Sequence, residues 1–208
     1  MKNEMKTGIR KIYIAQILKI IAIVFIAISA VFTPFINTNI EEATFKDLGL
    51  SIAISILIWP AILIGLYGLV MNIRGIYILY KEESIYKKAF MLAIAALMLD
   101  IVASVITLGT NTYAAAILKS ISIIVYFSVI FVVVKINKII TNQKKETAKK
   151  RQIVMIAMMG LNVVFNFWAM CMPAKELGMV TMTSILASIF GFVVEILYLR
   201  HLKTVISS

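Results

Sequence analysis

The sequence predicts an all-α fold, an integral membrane bundle of six transmembrane helices, on three observations. Hydrophobic residues make up 62% of the 208-residue chain and charged residues only 15%, with a mean hydropathy of +0.98. A soluble globule of this size has too little interior to hide that much apolar surface. The apolar residues also gather into six runs, each near the roughly 20 residues that cross a hydrocarbon core of about 30 Å. Finally, the basic residues fall almost wholly in alternate connections, as topology requires.

The runs lie near 12–36, 49–72, 89–109, 113–134, 152–171 and 178–199, forming a single transmembrane domain over 1–208. Lys2, Lys6, Arg10 and Lys11 precede the first run, as they would in a secretory leader. That run is too long for a leader's apolar region and no A-x-A site follows it, so it reads as a retained span. The segment 74–80 either extends the second helix or lies in the interface.

Of the 21 Lys and Arg residues, seventeen fall on the side that carries both termini and the connections 81–88 and 135–151. Only Lys46 and Lys175 fall on the other, beside the acidic Glu41, Glu42 and Asp47. Positively charged loops stay in the cytoplasm, so the expectation is a multi-pass protein of the cell membrane with cytoplasmic N- and C-termini. Tyr13 and Tyr80 on one side, and Phe35, Tyr113 and Trp168 on the other, suit interfacial belts. The net charge of +11 is therefore a topology signal, and no nucleic-acid partner is expected.

Ionisable residues within spans are costly and mark the first places to look for function. There are four: Lys19, Asp100, Lys119 and Glu195. At about 1.5 Å per residue, Asp100 and Lys119 lie about 13 and 9 Å below the outer surface, on spans joined by the short turn at 109–112. Lys19 and Glu195 lie about 10 and 8 Å from the inner surface on the first and last spans. Two pairs are thus expected: Asp100 with Lys119, and Lys19 with Glu195 as a structural ion pair.

Helical spacing adds polar stripes that should face the interior. Span three carries Ala93, Ala96, Asp100, Ala103 and Thr107; span four carries Ala115, Lys119, Ser122 and Tyr126. Span six carries Thr181, Ser184, Ser188, Gly191 and Glu195, while span five has Asn162 and Asn166. Asp100, Lys119, Asn162, Asn166 and Ser184, with Trp59 beside Pro60, share the outer half and form the expected substrate-binding pocket. Alternatively, these side chains only hydrogen-bond across helices. The stripe Ala61, Gly65, Gly68, Asn72 and Gly75 on span two reads as close helix packing.

Tyr13, Ala15, Ile17, Leu18, Lys19, Ile21 and Ile23 recur at an offset of 100 residues as Tyr113, Ala115, Ile117, Leu118, Lys119, Ile121 and Ile123. Three spans per half would make these inverted repeats, an arrangement known in transporters. Lys144, Lys145, Lys149, Lys150 and Arg151 fix topology, and a cluster of this kind also attracts anionic headgroups.

No H-E-x-x-H, G-x-S-x-G or P-loop is present, and Cys171 and His201 fall near opposite surfaces. The chain is accordingly expected not to be an enzyme and to need no metal or cofactor. Its expected partners are the lipid bilayer, a small-molecule solute and a membrane-protein partner. The leading reading is binding or translocation of a small solute in the outer-half pocket. The alternative is a noncatalytic accessory, immunity or assembly protein whose buried polar groups fix helix pairing.

Overall fold

In the computed structural model, which describes residues 3–32, 45–108, 112–134, 142–171 and 177–207, every element is a helix. They run α1 (Asn3–Phe32), α2 (Phe45–Glu82), α3 (Tyr86–Leu108), α4 (Thr112–Val134), α5 (Asn142–Cys171) and α6 (Leu177–Ile206). Each contains an apolar stretch of membrane-spanning length. Glu41, Glu42, Phe35 and the connections at 109–111, 135–141 and 172–176 lie outside the described residues, as do the side chains of Asp47, Thr107, Tyr113, Ala115 and Thr181.

Four helices outrun the apolar runs that mark them. The segment 74–80 continues α2, whose 38 residues make a rod of about 57 Å. Likewise α5 begins at Asn142, α1 at Asn3, and α6 reaches Ile206. Lys, Glu, Arg and Ala are good helix formers, so nothing ends the backbone ladder where the apolar run ends. Hydropathy reports the bilayer, and propensity reports the helix.

The helices form three antiparallel hairpins, α1/α2, α3/α4 and α5/α6, tied together by contacts of α1 with α6, α2 with α3, and α4 with α5 and α6. The first hairpin is the closest. A Cβ on Gly75 would stand 2.8 Å from the Gly8 carbonyl oxygen and 2.7 Å from Ile12, and one on Gly68 would stand 3.3 Å from the Ala15 carbonyl oxygen. With Ala61 also buried, the small-residue stripe of α2 lies against α1, where dispersion between close backbones replaces the hydrophobic drive that lipid removes. By contrast, α4, the counterpart of α1 under the 100-residue offset, packs chiefly on α3. Helix pairing therefore does not repeat between the halves.

The densest apolar core lies at one end of the bundle. Met5, Ile9 and Ile12 meet Ile76 and Leu79, Tyr86 and Ala89, Val133 and Val134, Ala148 and Met155, and Tyr198, Leu202 and Val205. This end, here termed the basic end, carries the start of α1, α3 and α5 and the finish of α2, α4 and α6. Several of these residues lie beyond the apolar runs, where helices emerge toward water and burying Leu, Ile and Met surface stabilises packing again. Nearer the other end, Ile56, Leu63, Val105, Ile117, Val164 and Met182 are exposed in the way a lipid-facing surface requires.

Candidate functional site

Around Glu195 three polar side chains from two other helices converge. Lys19 of α1 sits three residues after Gln16, and the α-helical repeat places both on one face. Lys19 Nζ lies 2.7 Å from Glu195 Oε1, while Gln16 Nε2 donates to Glu195 Oε2. From α4, the Tyr126 hydroxyl reaches Glu195 Oε2 at 3.3 Å, and Lys19 Nζ stands 3.9 Å from the centre of the Tyr126 ring. Glu195 and Gln16 are buried, so this carboxylate is held by donors instead of water. The charge-assisted bonds join α6 to α1 and α4.

Lys19 also lines a partly open cavity of about 380 Å³ formed by residues of α1, α2, α3 and α4. Its polar lining is Gln16, Lys19, Asn72, Asp100, Lys119, Ser122 and Tyr126; small residues, Ala15, Gly65, Gly68, Ala93 and Ala96, make the room. On the α3/α4 side the Ser122 hydroxyl donates to the Ala96 carbonyl at 3.1 Å, which sets the two helices against each other below Asp100. A second, more open depression of about 400 Å³, lined by Asp100, Ile101, Ser104, Val105 and Lys119, meets the cavity at its two charged residues. Asp100 and Lys119 border both spaces.

These two residues share the cavity wall without pairing. Among the described residues the ion pairs are Lys19–Glu195 and Lys150–Glu146, and no carboxylate lies within 4.0 Å of Lys119. Both side chains are exposed. A carboxylate and an ammonium thus stand along one membrane-embedded cavity with their hydrogen-bonding capacity unspent.

No family model matches the chain, and no curated protein or solved structure matches it.

The remaining residues expected at the pocket lie elsewhere. Asn162 is buried between α5 and α6, where its Nδ2 donates to the Ala187 carbonyl at 2.6 Å. It packs on Gly191, where an added Cβ would fall 2.9 Å from that nitrogen. Asn166 turns back on the same residue, donating to the Asn162 carbonyl at 2.8 Å and to its Oδ1 at 3.1 Å. These amides fix the α5/α6 hairpin and line no part of the cavity.

Trp59 is 65% exposed on α2, beside a shallow groove of its own helix with Ser51, Ser55 and Pro60. Ser184 is exposed on α6, where its carbonyl accepts the Ser188 hydroxyl at 2.9 Å. A serine that bonds the carbonyl four residues back needs no partner across the bundle, so a hydroxyl stripe is a weak guide to the interior. Gln16, absent from the expected site, was detectable: it shares the Lys19 face one turn away.

Proposed function

We propose that the protein binds a small zwitterionic solute in the cavity between α1, α2, α3 and α4. The observation that carries this reading is the placement of Asp100 and Lys119, unpaired with each other, on one cavity of about 380 Å³ within the membrane-spanning part of the bundle. That volume falls in the range of small-molecule sites, which combine an apolar lining with a few oriented polar groups. A solute ammonium would meet Asp100, a solute carboxylate would meet Lys119, and Asn72 and Tyr126 would add neutral hydrogen bonds. An ion paired in this way offsets part of the cost of leaving water.

In this reading the basic end is cytoplasmic and the host membrane is the cell membrane. The protein carries out binding, with translocation as its further step, and no covalent chemistry. The competing reading is an accessory or assembly protein, favoured by the use of Asn162 and Ser122 as helix-to-helix ties.

The test is a thermal-stability screen of the purified protein against zwitterionic metabolites and analogues lacking either the amine or the carboxylate. A ligand at about 100 times its Kd stabilises the native state by about 2.7 kcal/mol. The expected result is stabilisation by at least one zwitterion, weaker for both truncated analogues and lost in Asp100→Asn/Lys119→Met. A complete absence of stabilising solutes, or stabilisation that survives in the double variant, sinks the reading in favour of the accessory one.

A further inference from the structure

We propose that the cleft between α5 and α6 at the basic end binds a phosphate-bearing anion of the kind an anionic phospholipid headgroup presents. The cleft is separate from the α1–α4 cavity and shares no residue with it. About 390 Å³ in volume, it is lined by Arg151 and Thr147 of α5 and by Arg200, Lys203, Thr204 and Ser207 of α6. Three cations and three hydroxyls thus converge on a space large enough for a phosphate and its glycerol.

The local geometry prepares the cations for an external anion. Arg200, Lys203, Thr204 and Ser207 recur at three- and four-residue spacing, so one face of α6 presents all four. Arg151 Nη1 crosses the cleft to the Thr204 hydroxyl at 2.9 Å, and that hydroxyl donates in turn to the Arg200 carbonyl at 2.9 Å. A guanidinium has five N–H donors, so Arg151 is fixed in place with most of them unspent. Among the described residues, none of the three cations forms an ion pair; the nearby Glu146 is taken by Lys150 at 2.9 Å.

Like charges gathered without a carboxylate repel one another, and an anion seated between them removes that repulsion. Phosphate suits the fork of arginine in particular, because two parallel N–H donors match two of its oxygens.

Two features favour a lipid as the source. The apolar run of α5 begins after Arg151 and that of α6 ends before Arg200, which puts the cleft near headgroup level. Basic pockets between transmembrane helices at a cytoplasmic face are suited to anionic headgroups. Farther along α5, Ile153, Val154 and Ile156 are exposed, apolar surface of the kind that acyl chains cover.

The experiment compares wild type with Arg200→Gln/Lys203→Gln, both at exposed positions, and with Lys87→Gln/Lys88→Gln, which removes the same charge elsewhere at the basic end. Phosphatidylglycerol and phosphatidylcholine retention is read by native mass spectrometry. Inorganic phosphate and glycerol 3-phosphate are added separately and read by melting temperature.

Wild type and Lys87→Gln/Lys88→Gln are expected to retain phosphatidylglycerol about tenfold or more over phosphatidylcholine, and Arg200→Gln/Lys203→Gln to lose most of that preference. Arg200→Lys/Lys203→Arg, which keeps the charge, should restore it and controls for misfolding. Stabilisation of wild type by the soluble phosphates, lost in the same variant, would uphold the phosphate site and assign its source to free phosphate. Equal loss in the two glutamine variants, or no loss in either, would overturn the proposal.

Discussion

Lys19 Nζ lies 2.7 Å from Glu195 Oε1, but the partners are unequally hidden: the Lys19 side chain is 41% exposed, toward the cavity, and that of Glu195 only 7%. An ion pair of this kind joins a partly exposed position to a buried one. Its two halves should therefore respond differently to removal, because a stranded charge costs most where water cannot reach it.

Lys19→Met leaves Glu195 with only the neutral donors Gln16 and Tyr126, and is expected to destabilise by about 3 kcal/mol. Glu195→Gln keeps an acceptor for Gln16 and leaves the ammonium at a partly exposed position, at a cost of about 1 kcal/mol. The double variant should cost less than the two singles added together. Denaturation in lipid or detergent micelles measures the cycle, and strict additivity would mean that the pair contributes nothing.

The α1/α2 crossing makes a second, purely steric expectation. Gly75→Ala would drive a methyl into the Gly8 carbonyl oxygen and Ile12, at 2.8 and 2.7 Å, and backbone cannot step aside cheaply. A loss of about 1–3 kcal/mol is expected. Gly160→Ala on α5, where nothing lies within 4 Å of the added methyl, should instead stabilise by about 0.5–1 kcal/mol. Equal effects from the two substitutions would contradict the packing.

Much of this architecture was legible in the chain, for identifiable reasons. Run length and composition are dictated by the bilayer, so six apolar runs became six helices; the ends moved outward because Lys, Arg and Glu at 142–151 continue a helix that lipid no longer needs. Small residues at Gly68 and Gly75 announced a close contact, since glycine has few other uses inside a membrane helix. Matching depth placed Lys19 near Glu195. Depth alone cannot say which helices are neighbours, and that limit accounts for the rest. Asn162 shares a depth with Asp100 but is claimed by Ala187 and Gly191 on α6. Trp59 is exposed on α2, and Ser184 is exposed on α6, where its carbonyl accepts the Ser188 hydroxyl. Cavity walls depend on helix order around the bundle, a property of many contacts at once.

Topology can be tested independently of any function. With Cys171 replaced by serine, a cysteine at Glu146 should resist a membrane-impermeant maleimide in intact cells and react after lysis. A cysteine at Lys46 should react in both. Labelling of position 146 from outside would reverse the orientation argued from the seventeen basic residues.

The α5/α6 contact supplies a third stability expectation. Gly191→Ala places a methyl 2.9 Å from Asn162 Nδ2, forcing the amide off the Ala187 carbonyl, while Asn162→Ala removes the amide outright. Each should cost about 1–2 kcal/mol, the range for a lost buried hydrogen bond. Because both act on the same bond, the double variant should cost about as much as either alone. Full additivity of the two losses, measured by unfolding, would show that Gly191 and Asn162 do not act together.

Asp100 and Lys119 should behave in the opposite way to Lys19 and Glu195. They line one cavity but form no ion pair within 4.0 Å, and both are exposed. Asp100→Asn and Lys119→Met are therefore each expected to change stability by less than about 1 kcal/mol, the range of solvated ion pairs, and to add without coupling. Helix insertion should improve, since a charged residue at the span centre costs about 2.5–3.5 kcal/mol on insertion scales. Binding is where the two should couple: each substitution removes one end of a zwitterion's fit, so the second loses little once the first is made. Paired isothermal titration and unfolding measurements on the four proteins separate these quantities. Strong stability coupling between Asp100 and Lys119 would mean that they satisfy each other in the membrane, leaving no charge free for a solute.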